Sequence, residues 1–243
     1  MRALVLAALF SVFTSGNAAE TGYRLDKSPH DPRDLTSLQA GAKTFVNYCL
    51  GCHGAQYQRY NRLQDLGLTE AQIRDNLMFT AEKVGETMRA SFTVKEGKQW
   101  FGVAPPDLSL IARSRGADWL YTYMRTFYRD PKAATGWNNL VFPNVGMPHA
   151  LWQLQGERGL EVVQGKDLAG HARTEYKWTQ LSPGAMSANE YDVAVRDLVN
   201  FLSYVSEPSG QKRKAIGIIV LFVLGVLFIF AYLLKLAFWK DVK

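Results

Sequence analysis

The chain has 243 residues, of which 47% are hydrophobic and 12% aromatic, and its formal net charge is +6. This charge does not indicate nucleic-acid binding, because residues 20–211 hold 21 Lys and Arg against 21 Asp and Glu. The positive excess lies in Arg2 and in the segment after residue 211, and the sequence has no basic stripe with interleaved aromatic residues. Residues 20–211 have the length of a single domain.

Residues 1–19 have the features of a secretory signal peptide. Arg2 precedes the apolar run Ala3–Phe13, and the segment ends in the small residues Ala18 and Ala19. This order predicts export of the chain and cleavage after Ala18 or Ala19. An uncleaved membrane anchor is the alternative, although the apolar run is shorter than a membrane span requires.

Helical periodicity is clear in four segments and strand signals are thin, which predicts a mainly α fold with long loops. Residues 131–148, rich in Gly, Pro and Asn, are predicted to form a loop. The predicted helices are Leu35–Tyr48 with Thr36 or Ser37 as its cap, Thr69–Asn76 with a capped first turn, Asp118–Tyr128 with Trp119, Tyr123 and Phe127 at helical spacing, and Ser187–Ser206 with an apolar stripe of Val193, Leu198, Phe201, Leu202 and Val205.

The only two cysteines directly follow the first predicted helix, in the sequence Cys49-Leu50-Gly51-Cys52-His53. The C-x-x-C-H spacing is typical of covalent c-type haem attachment. Two thiols three positions apart can each bond to a vinyl group of one porphyrin, and the histidine that follows can ligate the iron. Because the motif occurs once, the sequence predicts one haem c.

Other interpretations of the cysteine pair stay open. They are a thioredoxin-like dithiol, half of a zinc site and a short structural disulfide. A zinc site would need further Cys or His ligands at compatible spacing, and His30, His149 and His171 are scattered along the chain.

The second axial ligand decides whether the iron carries electrons or binds an exogenous molecule. The candidates are Met78, Met88, Met124, Met147, Met186, His30, His149 and His171. Met147 is preferred because Pro143, Gly146 and Pro148 can hold its loop rigidly. Met124 and Met186 occur in helical patterns and are expected to fill the core. His149 is the rival ligand.

Two further segments accompany the haem motif. Pro105-Pro106-Asp107-Leu108-Ser109 predicts a rigid turn that leads to Arg113 and Arg115, either of which could pair with a haem propionate or lie on the surface. Tyr57 and Tyr60 follow the motif as hydrogen-bond partners or as apolar walls.

Residues Ala215–Leu234 form an uncharged run of twenty residues. As a helix this run covers about 30 Å, the thickness of a bilayer core, and it predicts a single transmembrane anchor. Three basic residues flank it on each side, so the positive-inside rule gives a tie. The signal peptide decides the orientation, with the exported domain outside and the chain end in the cytoplasm. Tyr232 and Trp239 would lie near the inner interface.

In combination and in order, these features resemble cytochrome c1, the haem subunit of the cytochrome bc1 complex, in a bacterial form. The resemblance extends from about Leu35 to the C-terminus. It rests on the C-x-x-C-H motif with Tyr57 and Tyr60, Pro-Pro-Asp-Leu-Ser at 105–109, Arg115 with Gly-Ala-Asp-Trp at 116–119, the Phe-Pro loop ending in Met147, the helix ending at Glu207-Pro208, and the terminal anchor.

The resemblance implies a role for individual residues. Cys49 and Cys52 would form the thioether bonds, and His53 and Met147 would be the axial ligands. Arg115 would pair with a propionate, with Arg113 as second choice, while Pro105 and Pro106 would pack against the haem. The chain departs from the mitochondrial pattern in a shorter loop before Met147. It also has Trp100 and Phe101 where many relatives have polar residues.

The function implied is one-electron transfer from the Rieske iron-sulfur protein to a cytochrome c acceptor, beside cytochrome b and membrane lipid, in the bacterial inner membrane. The domains expected are a signal peptide at 1–19, a periplasmic haem domain at 20–211, an anchor at 212–238 and a short cytoplasmic tail at 239–243. No substrate chemistry and no nucleic-acid partner are expected. Two alternatives stay open: a ligand-binding cytochrome with an open sixth site, and a c-type subunit of another respiratory enzyme.

Overall fold

The computed structural model describes residues 23–166 and 172–241. The predicted signal peptide therefore lies outside the described residues. About 48% of the described residues are helical, which confirms the mainly α fold class. The helices are α1 (Leu35–Tyr48), α2 (Glu70–Asn76), α3 (Val94–Phe101), α4 (Ile111–Ser114), α5 (Ala117–Arg125), α6 (Trp152–Gln155), α7 (Ala188–Ser206) and α8 (Gly210–Trp239), with a 3₁₀ helix at Tyr60–Leu66. The strands are β1 (Ala55–Arg59), β2 (Thr87–Met88), β3 (Phe127–Arg129), β4 (Trp137–Asn139), β5 (Gly156–Lys166) and β6 (Ala172–Pro183).

The fold divides into two compact units, each described here by itself. The His53 unit comprises His30–Val94, Pro105–Arg115 and the chain from Arg196 onward. The Met147 unit comprises the described residues up to Pro29, together with Lys95–Ala104 and Gly116–Val195. His53 lies in the first unit and Met147 in the second.

In the His53 unit, α1 packs against the second half of α7. The rings of Phe45 and Phe201 lie 5.5 Å apart, centroid to centroid, and both side chains are fully buried. Gly41 permits this close approach, since a Cβ at that position would lie 2.7 Å from Phe201 Cβ and would also clash with the carbonyl oxygen of Asp197. α1 thereby holds the residues that follow it against a rigid core.

Two helix starts test the predicted caps. Asp34, rather than Thr36 or Ser37, caps α1, because its carboxylate accepts a hydrogen bond of 3.0 Å from the Ser37 backbone amide. A carboxylate at this position also interacts favourably with the helix dipole. The prediction for α2 is confirmed, since Thr69 and Gln72 form a reciprocal capping box.

In the Met147 unit, α5 ends earlier than predicted. The sequence predicted helix as far as Tyr128, but Phe127–Arg129 forms β3, which pairs antiparallel with Trp137–Asn139 in β4. Aromatic and β-branched residues favour strands, and pairing with β4 supplies the backbone hydrogen bonds that the helix would have supplied.

β5 and β6 form a long antiparallel hairpin that the sequence analysis did not predict. Leu160 pairs with Trp178 and Val162 with Tyr176. Val162 is 50% exposed and Leu181 56% exposed, so neither face of the ribbon is fully covered. Tyr176 and Trp178 nevertheless alternate with polar residues along β6, which is a strand signal in the sequence that the prediction did not use.

The predicted stripe on α7 is mostly confirmed. Leu198, Phe201, Leu202 and Val205 are buried, but Val193 is 46% exposed. Val193 lies two residues from buried Tyr191 and buried Val195. Two residues correspond to about 200° around a helix, so its side chain faces the opposite side.

α8 is long and apolar enough to cross a membrane. It has 30 residues, its most apolar window has a mean hydropathy of 3.0, and none of that window is buried by the rest of the described chain. Its length of about 45 Å exceeds the bilayer core. The helix contains the predicted apolar run and extends beyond it at both ends.

The Gly41 contact yields a stability prediction. In Gly41→Ala, the methyl group forces α1 away from Asp197 and Phe201, and we expect a loss of about 1–3 kcal/mol, less a gain of up to ~1 kcal/mol in helix propensity. The midpoint of thermal unfolding of the full chain in detergent measures this loss. Gly85→Ala is the matched control, because no atom lies within 4 Å of its added Cβ. Equal midpoints for the two variants would contradict the prediction.

Candidate functional site

The C-x-x-C-H segment forms a tight turn at the end of α1. The carbonyl oxygen of Cys49 accepts hydrogen bonds from the amides of Cys52, at 3.0 Å, and His53, at 2.8 Å. Cys49 is buried, Cys52 is exposed, and both are free thiols in this structure. The turn brings the two predicted attachment residues and the predicted ligand together within the His53 unit.

The protonation of the cysteines bears on the alternative interpretations. Burial, with a contribution from Cys52, raises the pKa of Cys49 to about 12, and burial also raises the pKa of Cys52. Redox-active dithiols depend instead on a lowered pKa that exposes a thiolate. Both side chains are therefore neutral thiols at pH 7, which disfavours the dithiol interpretation. Among residues 23–166 and 172–241, no group of three or more His, Cys, Asp and Glu side chains is placed to hold a metal ion.

His53 is fixed by a backbone group of the predicted rigid turn. Its Nδ1 lies 2.7 Å from the carbonyl oxygen of Pro106. Because a carbonyl only accepts, Nδ1 carries the proton and donates it, which leaves Nε2 with the lone pair that a metal requires. Burial lowers the pKa of His53, partly opposed by the Pro106 hydrogen bond and by Asp107. The imidazole is therefore neutral near pH 7.

A series of hydrogen bonds joins the segment after His53 to the Pro-Asp-Leu-Ser segment. The Leu108 amide donates to the Gly54 carbonyl at 2.7 Å, and the Gln56 amide donates to the Asp107 carboxylate at 2.9 Å. The Tyr57 amide donates to Ser109 Oγ at 3.0 Å. These bonds fix the Pro106 carbonyl opposite the imidazole.

The other predicted residues of this unit lie nearby in sequence but differ in exposure. Pro105 is half-buried and Pro106 is exposed, and both belong to the turn that holds His53. Arg115 follows α4 as its C-cap, and like Arg113 it is exposed. Their roles toward haem stay predictions.

The two tyrosines after the motif differ from each other. Tyr57 is 78% exposed. Tyr60 is fully buried, and its hydroxyl lies 2.9 Å from Thr80 Oγ1. Tyr60 therefore belongs to the core of the His53 unit, whereas Tyr57 lies on its surface.

Met147 lies in the loop after β4, half-buried in the Met147 unit. Two buried asparagines at the end of β4 organise this loop. Asn139 Oδ1 accepts from the amides of Val141, at 2.9 Å, and Phe142, at 3.1 Å. Asn138 Oδ1 accepts from the amide of Asn144, at 2.8 Å. Side-chain amides thus hold the loop, in addition to the proline and glycine residues proposed from sequence.

Tyr123 on α5 contacts the methionine directly. Its hydroxyl donates to Met147 Sδ at 3.4 Å, and its backbone carbonyl accepts from Asn139 Nδ2 at 2.8 Å. Asn139 therefore connects the Met147 loop to α5. The sequence analysis placed Tyr123 on a helix but gave it no role, because a contact between residues 24 positions apart has no local signal.

His149, the predicted rival ligand, lies inside a cluster of aromatic rings. Its ring stacks on Phe127 at 4.8 Å and meets the edge of Trp137 at 5.2 Å. Its Nε2 lies 2.8 Å from Gln155 Oε1. Burial is the main cause that lowers the pKa of His149 to about 4. The imidazole is therefore neutral and packs within its unit, and its buried Nδ1 has no hydrogen-bond partner among the described residues. Its role as the rival ligand stays a prediction.

The remaining methionines have other surroundings. Met124 is buried in α5 and Met88 is buried in β2. Met186 was predicted in a helical pattern, but it lies just before α7 begins at Ala188. The core role expected for Met124 is consistent with its burial.

Comparison with known proteins assigns the family. The sequence profile of the Cytochrome C1 family matches residues 26–242. The chain belongs to the cytochrome c1 family.

Individual relatives agree with this assignment. The chain is similar to cytochrome c1 of Allochromatium vinosum, with 47% identity over the full length of both chains. It is also 47% identical to a protein named ammonia monooxygenase gamma subunit of Nitrosomonas europaea, covering 98% of this chain and 97% of that one. Cytochrome c1 of Rhodospirillum rubrum is 28% identical and covers 100% of this chain.

A cytochrome c1 is a haem-containing electron carrier, and the residues of this chain fit that group. Two neutral thiols flank a turn, and the histidine that follows presents Nε2 with its lone pair. The apolar helix α8 and the similarity to bacterial cytochromes c1 together indicate that the protein is anchored in a membrane. The family that the sequence motifs indicated is thereby confirmed.

The role of Asn139 yields a testable prediction. Asn139→Ala removes the acceptor for two loop amides and the donor to the Tyr123 carbonyl, leaving buried polar groups unpaired. We expect a loss of about 2–3 kcal/mol in the free energy of unfolding. Chemical denaturation of the full chain measures this loss. Asn47→Ala is the control, since Asn47 is exposed on α1 and bonds only to the Lys43 carbonyl among the contacts described. A loss no larger than in the control would exclude a structural role for Asn139.

Proposed function

We propose that this cytochrome c1 is a one-electron carrier that accepts an electron from the Rieske iron-sulfur protein and passes it to a cytochrome c. The observation that carries the proposal is the hydrogen bond from His53 Nδ1 to the Pro106 carbonyl, next to two neutral thiols. It prepares a neutral imidazole for iron at the end of a C-x-x-C-H motif. Family membership supports the same function.

We propose a single haem c bonded covalently through Cys49 and Cys52. When bound, its iron takes up and releases one electron at a time. His53 is the proposed proximal ligand and Met147 the proposed second ligand. A neutral thioether favours reduced iron and a higher potential than a second histidine would give. Arg115 is proposed to pair with a propionate, which would offset the cost of burying that charge.

The proposed location is the bacterial inner membrane, with the haem domain in the periplasm. Support comes from the signal-like segment at residues 1–19 and from α8. Both would place the body of the chain on the exported side and its last residues in the cytoplasm. The proposed domains are those of the sequence analysis, with the anchor at 212–238.

The proposed partners are cytochrome b and the Rieske protein in the bc1 complex, with a cytochrome c as acceptor. Contacts that pass electrons to a mobile carrier are small and transient, so the acceptor is expected to dissociate during purification. The membrane partners are expected to stay with α8.

The name of the Nitrosomonas relative favours one second candidate, a subunit of a monooxygenase. The two relatives named above share the same 47% identity with this chain, so identity alone does not separate the candidates. Partner identity separates them.

Purification of the tagged full chain from native membranes in mild detergent tests the function. We expect cytochrome b and a Rieske protein to co-purify, and quinol to reduce the haem in a reaction that Rieske-site inhibitors block. Added ferric cytochrome c should then reoxidise the haem. Co-purification of monooxygenase subunits without cytochrome b would support the second candidate and overturn the first.

The proposed ligand set yields a prediction for Met147→Leu. Loss of the thioether should open the sixth position, lower the reduction potential and let carbon monoxide bind the ferrous form. The haem should remain on the chain after denaturing electrophoresis, because Cys49 and Cys52 are unchanged. Redox titration and optical spectra measure these effects. Met124→Leu serves as the control, since it is a similar substitution of a buried methionine in the same unit. An unchanged potential and spectrum in Met147→Leu would reject the ligand assignment.

A further inference from the structure

We propose that Tyr123 is a positioning residue that raises the reduction potential by donating its hydroxyl hydrogen bond to Met147 Sδ. The inference rests on the proposed function, in which Met147 is the second iron ligand. It adds a residue for which the motifs of the sequence gave no role, and it concerns the strength of the ligand rather than its identity.

The contact has the chemistry that such a role needs. The Tyr123 oxygen lies 3.4 Å from Met147 Sδ. A thioether sulfur is a weak acceptor with no proton of its own, so the hydroxyl must be the donor. Sulfur has two lone pairs, and the hydroxyl uses one while the other remains for a metal.

Tyr123 is held so that its hydroxyl cannot easily turn away. Its ring stacks on Trp119 with centroids 4.7 Å apart and meets Phe127 edge-on at 5.0 Å. Its backbone carbonyl accepts from Asn139 Nδ2, and the Asn139 Oδ1 atom holds the loop that carries Met147. The same asparagine thus fixes the donor and the acceptor relative to each other.

Burial strengthens the contact. Tyr123 is only 8% exposed, so little water competes for its hydroxyl or for the sulfur. Hydrogen bonds are electrostatically stronger in such surroundings than in water. The hydroxyl is neutral and directs the positive end of its dipole at the sulfur.

The direction of the effect follows from the electron demand of the iron. A proton directed at the sulfur draws electron density from it and makes it a poorer donor. Ferric iron needs donated density more than ferrous iron does. The hydrogen bond therefore disfavours the ferric form, and its removal should lower the potential.

The test is redox titration of Tyr123→Phe in the full, haem-loaded chain. We expect the ferrous-to-ferric ratio at a fixed ambient potential to fall roughly twofold to tenfold, which is the equilibrium effect of one net hydrogen bond. Tenfold corresponds to about 59 mV for a one-electron couple. The charge-transfer band between sulfur and ferric iron should shift as well.

Tyr121→Phe is the matched control. It removes a hydroxyl from the same helix at similar burial, 7% exposed, and the Tyr121 ring faces the Arg125 guanidinium at 4.5 Å. Its potential and charge-transfer band should stay at the unmodified values. A merely structural effect of losing a buried hydroxyl would move the unfolding midpoint of both variants and the potential of neither.

A second substitution works in the opposite direction. A ring-fluorinated tyrosine at position 123 is a stronger hydrogen-bond donor and should raise the potential. This variant keeps the hydroxyl and the ring stack, so it also serves if Tyr123→Phe fails to incorporate haem. Unchanged potential with the fluorinated residue would overturn the proposal.

Combination with Met147→Leu separates the two proposals. If Tyr123 acts through the sulfur, Tyr123→Phe should cause no further shift once the sulfur is gone. If Met147→Leu changes the potential but neither Tyr123 variant does, the role of Tyr123 is rejected and the ligand assignment stands. If Met147→Leu itself changes nothing, the ligand assignment is rejected, and the Tyr123 proposal is rejected with it.

Discussion

The hydrogen bond between His53 Nδ1 and the Pro106 carbonyl is the contact on which the candidate site depends. It sets the tautomer of the imidazole and its orientation in one interaction of 2.7 Å. The bonds from Leu108, Gln56 and Tyr57 amides keep the Pro106 carbonyl in place. The cysteine turn, fixed at the end of α1 by the Gly41 contact with α7, then brings both thiols to the same histidine. Backbone placement and close helix packing together thus fix the geometry of His53, the proposed ligand.

The loop of Met147 is organised by a different principle. Short strands leave it few ladder hydrogen bonds, and the side chains of Asn138 and Asn139 bond to its amides instead. Beside it, Trp119, Tyr123, Phe127 and His149 form a continuous aromatic column. A column of rings is stiff and neutral, so it can hold the sulfur of Met147, the proposed second ligand, without placing a charge near it. His149 contributes a flat, neutral ring that stacks on Phe127.

The sequence predicted those features that local patterns determine. C-x-x-C-H spacing, the capping box at Thr69 and the uncharged run in α8 each depend on residues close in the chain. Asp34 was not predicted as the cap of α1, because Thr36 and Ser37 are also good capping residues. The β5–β6 hairpin was not predicted, although Tyr176 and Trp178 alternate with polar residues in the manner of a strand. Two features of the site had no local sequence signal: the Pro106 carbonyl is a backbone group, and Tyr123 contacts Met147 from 24 residues away. Asn139 bonds to amides two and three residues ahead, as asparagines in turns do, but the loop prediction did not single it out.

The membrane helix has a consequence for how the protein is mounted. α8 is apolar on every side, and its large apolar side chains, from Ile216 to Trp239, are all between 37% and 73% exposed. Such a helix has no preferred face toward lipid. The anchor therefore fixes how deeply α8 lies in the bilayer. It does not fix how far the helix is rotated about the membrane normal. That remaining rotation is fixed by whichever neighbouring helices pack beside it, so the direction in which the electron carrier faces is a property of the assembly.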